Sequence, residues 1–353
     1  MRPLHACAAA AVASLLVFSQ AGCSSGTRTV RPSGSAPARD VVFAGTLEQT
    51  APVGYPKPRA GKLRIAYLEP ASSNEFIAAV GDAAQATAKS LGGSVTVYDA
   101  KFDPDVQVSQ FQQALAQKVD GIFLFAVDPK AVEPLVRQAA AAGIPVIGVE
   151  ANSQSTTDIG ALTSQLWERR DEQAYLQVKG LARFVKPGQR VAQITSSIPS
   201  PVIQQYLVFQ REWSSKFGIK VVGGVDNATD DVTGGETAMT GVLARYSTIQ
   251  GLLPYNDPSG IGAAAADRQQ NKSMPIVGAN GGTDGLDAVK QGKLEGTVRI
   301  DAVGLGRFGL WGLYDVKQGI AIAKTAKIGP PMYIDAHNVN TTSTWSQELA
   351  HSS

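Results

Sequence analysis

The stretch from residue 252 to 266, LLPYNDPSGIGAAAA, holds the side chain best placed to do chemistry. Leu252 and Leu253 have the character of a short apolar strand, Tyr255-Asn256-Asp257 of a polar turn, and the small residues beyond of a helix. Asn256 then falls just past the carboxyl end of the strand, the edge where open α/β sheets bind ligands. A carboxamide there both donates and accepts, which suits a hydroxyl-bearing solute. Turn shaping alone is the other reading, because Asn is a common turn residue for local reasons. Asp257 is expected to cap the helix, since the first turn leaves backbone N–H groups unpaired. Pro258 at the first helical position costs nothing there. The same Asp-Pro device recurs at Asp103-Pro104 and Asp128-Pro129.

Other chemistry finds little to work with. The histidines are His5, His337 and His351, so a histidine-based metal site or a Ser-His-Asp triad has only His337 to draw on. No metal cluster and no cofactor motif is expected. The glycine loop Gly281-Gly282-Thr283-Asp284-Gly285 is better explained as the start of a helix than as a phosphate cradle. A formal net charge of +2, without a concentrated basic face, excludes a nucleic-acid partner. With 353 residues, 44% apolar and 18% charged, the chain is long enough for two domains with a sizeable core.

The amino terminus has the form of an export signal. Arg2 is followed by an apolar run from Ala8 to Phe18 and by Ala21-Gly22-Cys23, too short to span a bilayer and ending in small residues. This resembles the bacterial lipoprotein signal, with Gln20 where Leu is usual. It implies cleavage before Cys23 and a lipid on that thiol, whereas ordinary secretion is the alternative. Loss of Cys7 with the signal leaves no second cysteine for an internal disulfide, so the core alone must hold the exported chain. Residues 24 to 60 are polar and Pro-rich and are expected to form a tether, with a short ordered piece at 41–47.

From Lys62 the pattern alternates between strand and helix. Strands are expected at Leu63–Leu68, Ser94–Tyr98, Gly121–Val127 and Ile144–Val149, with helices between them. Crossovers of that length imply a parallel sheet covered on both faces. A second series follows. It begins with a long helix over Ala161–Val185 and continues with strands at Arg190–Thr195, Lys220–Val225, Leu252–Leu253, Met274–Gly278 and Leu294–Ile300. A helix over Gly304–Lys317 and an extended segment over Ala326–Ile334 suggest three passages between the two halves, near Ala151, Ile300 and Thr325.

Several segments together resemble the type I periplasmic binding proteins, the ribose-binding-protein-like branch that serves ABC sugar importers. They are LRIAYLEPASSNEFIAAVGDAAQ, Asp128-Pro129, IPVIGVEAN, YNDPSGIGA and MPIVGANGGTDGLDAVKQGKLEGTVRI. The resemblance covers about Lys62 to Ile334. It implies an α/β fold of two doubly wound, Rossmann-like parallel-sheet domains joined by a three-crossing hinge. It places one lobe at 61–151 plus 301–325 and the other at 152–300 plus 326–340, followed by a tail over 341–353. It also implies a monomeric, non-enzymatic protein that closes on a small polar ligand, a carbohydrate first of all, and delivers it to a permease and ATPase.

Carried over position by position, the resemblance puts the ligand on Asn74, Glu75 and Phe76 in the first loop, on Asp128, on Asn256, on Asn280 where Asp is usual, and on Arg299 where Gln is usual. Glu150-Ala151 stands where an Asp-Arg pair is usual, which makes Glu150 a ligand candidate. The arginine of the helix over 202–217 is missing, so a simple pentose or hexose is not implied. Competing roles remain for core packing at Phe76, for a surface hinge residue at Glu150, and for pairing of Arg299 with Glu295 or Asp301. Tyr206 and Trp213 are expected to pack rather than bind. A receptor that presents a furanosyl autoinducer or feeds a sensor kinase fits the same residues. A LacI-type regulator does not, because a signal stands where its helix-turn-helix should be.

Overall fold

The computed structural model describes residues 41–43, 51–150, 159–198 and 200–351. The signal over 1–22, the lipidation candidate Cys23, much of the tether and the expected passage at Ala151 lie outside the described residues.

The first series runs β1 Arg64–Glu69, α1 Glu75–Ser90, β2 Ser94–Asp99, α2 Pro104–Ala116, β3 Gly121–Phe125, α3 Pro129–Ala141, β4 Val146–Val149 and β5 Ser164–Trp167. The second runs α4 Arg170–Leu181, β6 Arg190–Thr195, α5 Pro201–Lys216, β7 Lys220–Asp226, α6 Val232–Arg245, β8 Leu252–Pro254, α7 Asp257–Gln269, β9 Val277–Asn280, α8 Thr283–Lys290 and β10 Gly296–Arg299. The chain ends with α9 Ala302–Lys317, β11 Thr325–Lys327, β12 Met332–Ile334 and α10 Trp345–His351.

Six strands form the first sheet in the order β2-β1-β3-β4-β5-β11, each pairing parallel. Successive residues of β1 and β3 face opposite layers. Ile65, Tyr67, Phe123 and Phe125 pack with α1 and α9, whereas Ala66, Leu68, Ile122 and Leu124 pack with α2 and α3. That period of two within an all-apolar run is what burial on both faces requires. The second layer repeats the order with β7-β6-β8 and β9-β10-β12, joined by a parallel bridge between Leu252 and Ile276. Only β12 runs antiparallel to its neighbour.

Three expectations about the path of the chain need correction. The long helix over Ala161–Val185 is a buried strand, β5, and then α4. Arg169 takes a left-handed conformation at φ 56°, which breaks the helix at its start. Because β5 pairs with β4, the first sheet takes in Ser164–Trp167, a segment expected in the second half. Because β11 pairs with β5, the segment expected in the second half from Ala326 onward enters it only at β12.

The tether is also shorter than its composition suggests. Val53 bridges to Lys327, and Tyr55 is buried with its hydroxyl 2.7 Å from the Ser164 hydroxyl. Phe43 stacks 5.4 Å from Tyr175 and 5.6 Å from Trp213, on the core of the second layer. The expected tail packs too: Trp345 is buried and donates its indole N–H to the Ile300 carbonyl.

Helix α9 reaches α1 closely because Gly306 has no side chain; a Cβ there would lie 2.2 Å from the Val80 carbonyl oxygen. Gly306→Val should therefore lower stability by about 1–3 kcal/mol or more, the cost of overpacking. Urea unfolding measures it, and an unchanged midpoint would contradict this packing.

Candidate ligand-binding cleft

The loops that follow the strands meet in one cavity of about 60 Å³, several times the roughly 10–15 Å³ that one water needs. Its walls come from the carboxyl ends of both sheets: Asn74, Phe76 and Ile77 after β1, Phe102 after β2, Phe125 to Val127 at the end of β3, Ile198 and Ser200 after β6, Asp230 after β7, Tyr255 and Asn256 after β8, and Asn280 at the end of β9. In each sheet the first strand lies between its two successors, β1 between β2 and β3 and β6 between β7 and β8. The loops leaving these strands diverge there, which opens a crevice at the switch point.

Asp230 is the centre of this cavity, and the sequence pattern did not reveal it. One carboxylate oxygen accepts from the Asn74 amide at 2.8 Å; the other accepts from the Asn256 amide at 2.7 Å and from the Tyr255 hydroxyl. Burial pushes its pKa above the usual carboxylate value, and the three donors pull it part of the way back. Asn227 builds the loop that presents it. The Asn227 Oδ1 accepts the backbone N–H groups of Thr229 and Asp230, and its amide donates to the Asp231 carbonyl and the Ser259 hydroxyl. Asp230 itself sits at φ 57°, a left-handed conformation that Asp tolerates better than most residues. The available signal was an Asn–Asp–Asp spacing (227, 230, 231) just after a strand.

Asn74 and Asn256 do two jobs each. Asn74 caps α1 through Oδ1, which accepts from Phe76 N–H at 3.0 Å, and this turns its amide donor toward Asp230. Asn256 caps α7 in the same way through Ser259 N–H at 3.0 Å. The cap expected from Asp257 is thus made one residue earlier. The Asp257 carboxylate instead turns inward, accepting from Gly281 N–H and the Thr297 hydroxyl, both at 2.7 Å. Burial raises its pKa to about 7. A Cβ at Gly278 or Gly285 would strike this carboxylate at 2.1 or 2.2 Å, so both positions need glycine.

The other candidates divide. Phe76 lines the cavity, edge-on to Phe125 with ring centres 6.5 Å apart. Asn280 lines it from a left-handed backbone at φ 97°. Glu75 is outside it, reaching across to accept from Thr283 N–H at 2.8 Å at the start of α8. Asp128 is also outside: its carboxylate caps α3 through Lys130 N–H at 2.9 Å. Glu150 is not among the cavity's walls; its backbone is left-handed at φ 43°, and its side chain accepts from Glu168 N–H at 2.7 Å. Arg299 is also outside the cavity's walls. It bonds the Gly281 carbonyl at 3.0 Å and Glu348 at 2.7 Å, and so holds α10 in place.

An arginine does enter the cavity, but from an unexpected place. Arg170, at the start of α4, lines the wall with Tyr206, its guanidinium 5.8 Å from that ring. Glu168 pairs with it at 2.5 Å, and Gln173 accepts from it at 3.0 Å. The Tyr206 hydroxyl donates to Gln177, whose amide in turn donates to the Pro254 and Val277 carbonyls. Tyr206 is therefore both wall and packing.

A periplasmic binding protein domain matches residues 65–321. The chain belongs to this family. Its fold is the type I fold of the family, and membership makes it a binding protein and not an enzyme. The ribose import binding protein of Bacillus subtilis is 23% identical over 74% of this chain and 84% of its own length. The D-apiose import binding protein of Paraburkholderia graminis is 28% identical over 76% of this chain and 83% of its own. A solute-binding protein of an ABC transporter from Mycobacterium smegmatis, solved with bound glycerol, superposes with a TM-score of 0.72 at 22% identity, covering 80% of this chain and 99% of that one.

The Asp257 carboxyl has a sign that can be tested. Its folded pKa is raised to about 7, so between the unfolded value near 3.8 and about 7 the unfolded chain releases a proton that the folded one keeps. This group therefore makes the protein less stable as pH rises through that window. Asp257→Asn should flatten the decline between pH 4 and 7 relative to wild type in paired thermal melts. A variant whose pH dependence matches wild type would show that the carboxyl is not held protonated.

Proposed function

We propose that this protein is the extracytoplasmic solute receptor of an ABC importer, acting as a monomer. Two lobes, one around each sheet, close about the cleft on a small polar solute, a carbohydrate first of all, and present it to the permease and ATPase. The observation that carries this reading is the convergence of Asn74 from one sheet and Asn256 from the other on Asp230, inside a cavity with aromatic and aliphatic walls. Amides and a carboxylate can replace the hydration of hydroxyl groups, and flat apolar side chains cover the C–H faces of a ring. A buried polar group left unpaired costs about 1–3 kcal/mol, so a solute with misplaced hydroxyls is rejected. The names of the relatives and structural neighbours, which bind ribose, apiose or glycerol, favour the same class.

The export signal and Cys23 support a lipid anchor outside the cell membrane, with the residues after Cys23 as a leash. Among the described residues no helix is long and apolar enough to cross a membrane.

A thermal-shift panel of sugars and polyols tests the ligand class. A solute that binds only the folded protein adds about 2.7 kcal/mol at a hundred times its Kd. Asn256→Ala should abolish that gain and also lower the stability of the protein alone by about 1 kcal/mol, because it removes the α7 cap. A panel without a single shift would refute a carbohydrate ligand. For the anchor, Cys23→Ser expressed in the native host should move the protein from the membrane to the soluble fraction. Persistent membrane association would refute lipidation at Cys23.

A further inference from the structure

Asp230 lies between two hollows. One is the cavity already described. The other, of about 220 Å³, adjoins it and shares Asn74, Phe76, Asp230 and Asn280 as walls. The ionisable residues lining this outer hollow are all acidic: Glu75, Asp230, Asp231, Asp257 and Asp284, of which Asp257 is kept protonated by burial below about pH 7, and no lysine, arginine or histidine is among them. In the inner cavity the charged residues are Asp230 and Arg170, and Arg170 is already paired with Glu168. Beside Asp230 the outer hollow thus adds the carboxylates of Glu75, Asp231 and Asp284, and low-dielectric walls concentrate such a field.

The partners of Asp230 are an amide from each side and a phenol, all neutral. Among the described residues no cation pairs with it, and the charged neighbour that acts on it is another carboxylate, Asp231. A carboxylate offers about four acceptor sites, and three donors leave it room for one more. A charged donor makes a shorter and roughly twice as strong a bond there as a neutral one. The rings of Phe76, Phe102 and Phe125 in the same cavity offer the faces that attract an ammonium. Metal binding is a poorer account of the acidic hollow, because among the described residues no group of His, Cys, Asp and Glu is arranged to hold an ion.

A second buried group calls for a different part of the solute. Arg170 is about nine-tenths buried and lines the cavity, and its Nε has no hydrogen-bond partner. It needs an oxygen acceptor. We propose that the solute carries both features: it is an ammonium-bearing polyol or amino sugar, its nitrogen on Asp230 and a hydroxyl oxygen on Arg170. This deepens the carbohydrate reading above and rests on it.

Matched pairs test it: glucosamine against glucose, an inosamine against its inositol, and a 1-amino-1-deoxy sugar against its parent, each titrated calorimetrically into the mature protein at pH 7. In at least one pair the ammonium member should bind roughly tenfold or more tighter. Asp230→Asn should bring that ratio close to one. Asp284→Asn, at an exposed position in the outer hollow, should slow association of the ammonium member more than that of its parent and so tests the field without touching the inner cavity. Neutral members that bind as well or better in every pair would overturn the proposal while leaving a carbohydrate receptor. A preference that survives Asp230→Asn would overturn the assignment to Asp230. No binding in either column would overturn both readings.

Discussion

A carboxylate removed from water is unfavourable unless donors surround it. Asp230 is buried enough to raise its pKa, and its donors come from two different sheets. That single requirement ties together parts of the chain far apart in sequence. Asn74 supplies one donor because its own oxygen is committed to capping α1, and Asn256 supplies another because its oxygen is committed to capping α7. Each amide is oriented by its helix before any solute arrives. Preorganisation of this kind lowers the ordering cost of binding, because the side chains need not be immobilised again.

The frame behind these loops explains why the donors can be placed so closely. Parallel strands deliver all their carboxyl ends to one edge, and both sheets repeat the same strand order. In the second layer, Asp257 clamps the Gly281 backbone and the Thr297 hydroxyl, which fixes the turn that carries Asn280. Gly278 and Gly285 make room for that carboxylate. The glutamines of α4 and α5 then tie the β8 and β9 edges together through Gln177 and Gln210. Much of the polar chemistry near the cleft therefore supports backbone, as the bonds of Glu75, Asp128 and Asp257 to backbone N–H groups illustrate.

What the sequence revealed follows from how far apart the interacting residues are. Alternating strands and capped helices are local patterns, so the α/β class was legible in the chain, as was the position of Asn256 at a strand end. Strand β5 was not, because Leu162 to Trp167 mixes apolar and polar residues without strict alternation, and the left-handed Arg169 that separates it from α4 leaves no mark in composition. The bond from Arg299 to Glu348 could not be read locally, because its partner stands 49 positions away. The left-handed backbone at Glu150 likewise leaves no local mark in the sequence. Asp230 escaped notice since its place depends on Asn227 folding a loop that, in sequence, is only polar. Of the ligand candidates, Asn74, Phe76, Asn256 and Asn280 come together around the cavity, and Glu75, Asp128, Glu150 and Arg299 do not.

The contacts across the cleft also bear on how closing is driven. Asn74 to Asp230 and Glu75 to Thr283 already join the two layers, and a typical hydrogen bond contributes about 0.5–1.5 kcal/mol net. These bonds give the arrangement in which the two layers meet some stability of its own. A solute shifts the balance only by the difference between what it gains in the closed and in the open arrangement. Contacts to one side alone contribute affinity without closing. In the receptor proposed above, contacts to Asp230 on one side and to the first-sheet loops carrying Asn74 and Phe76 on the other would do both, so that Asp230, bonded across the gap, would couple occupancy to closure.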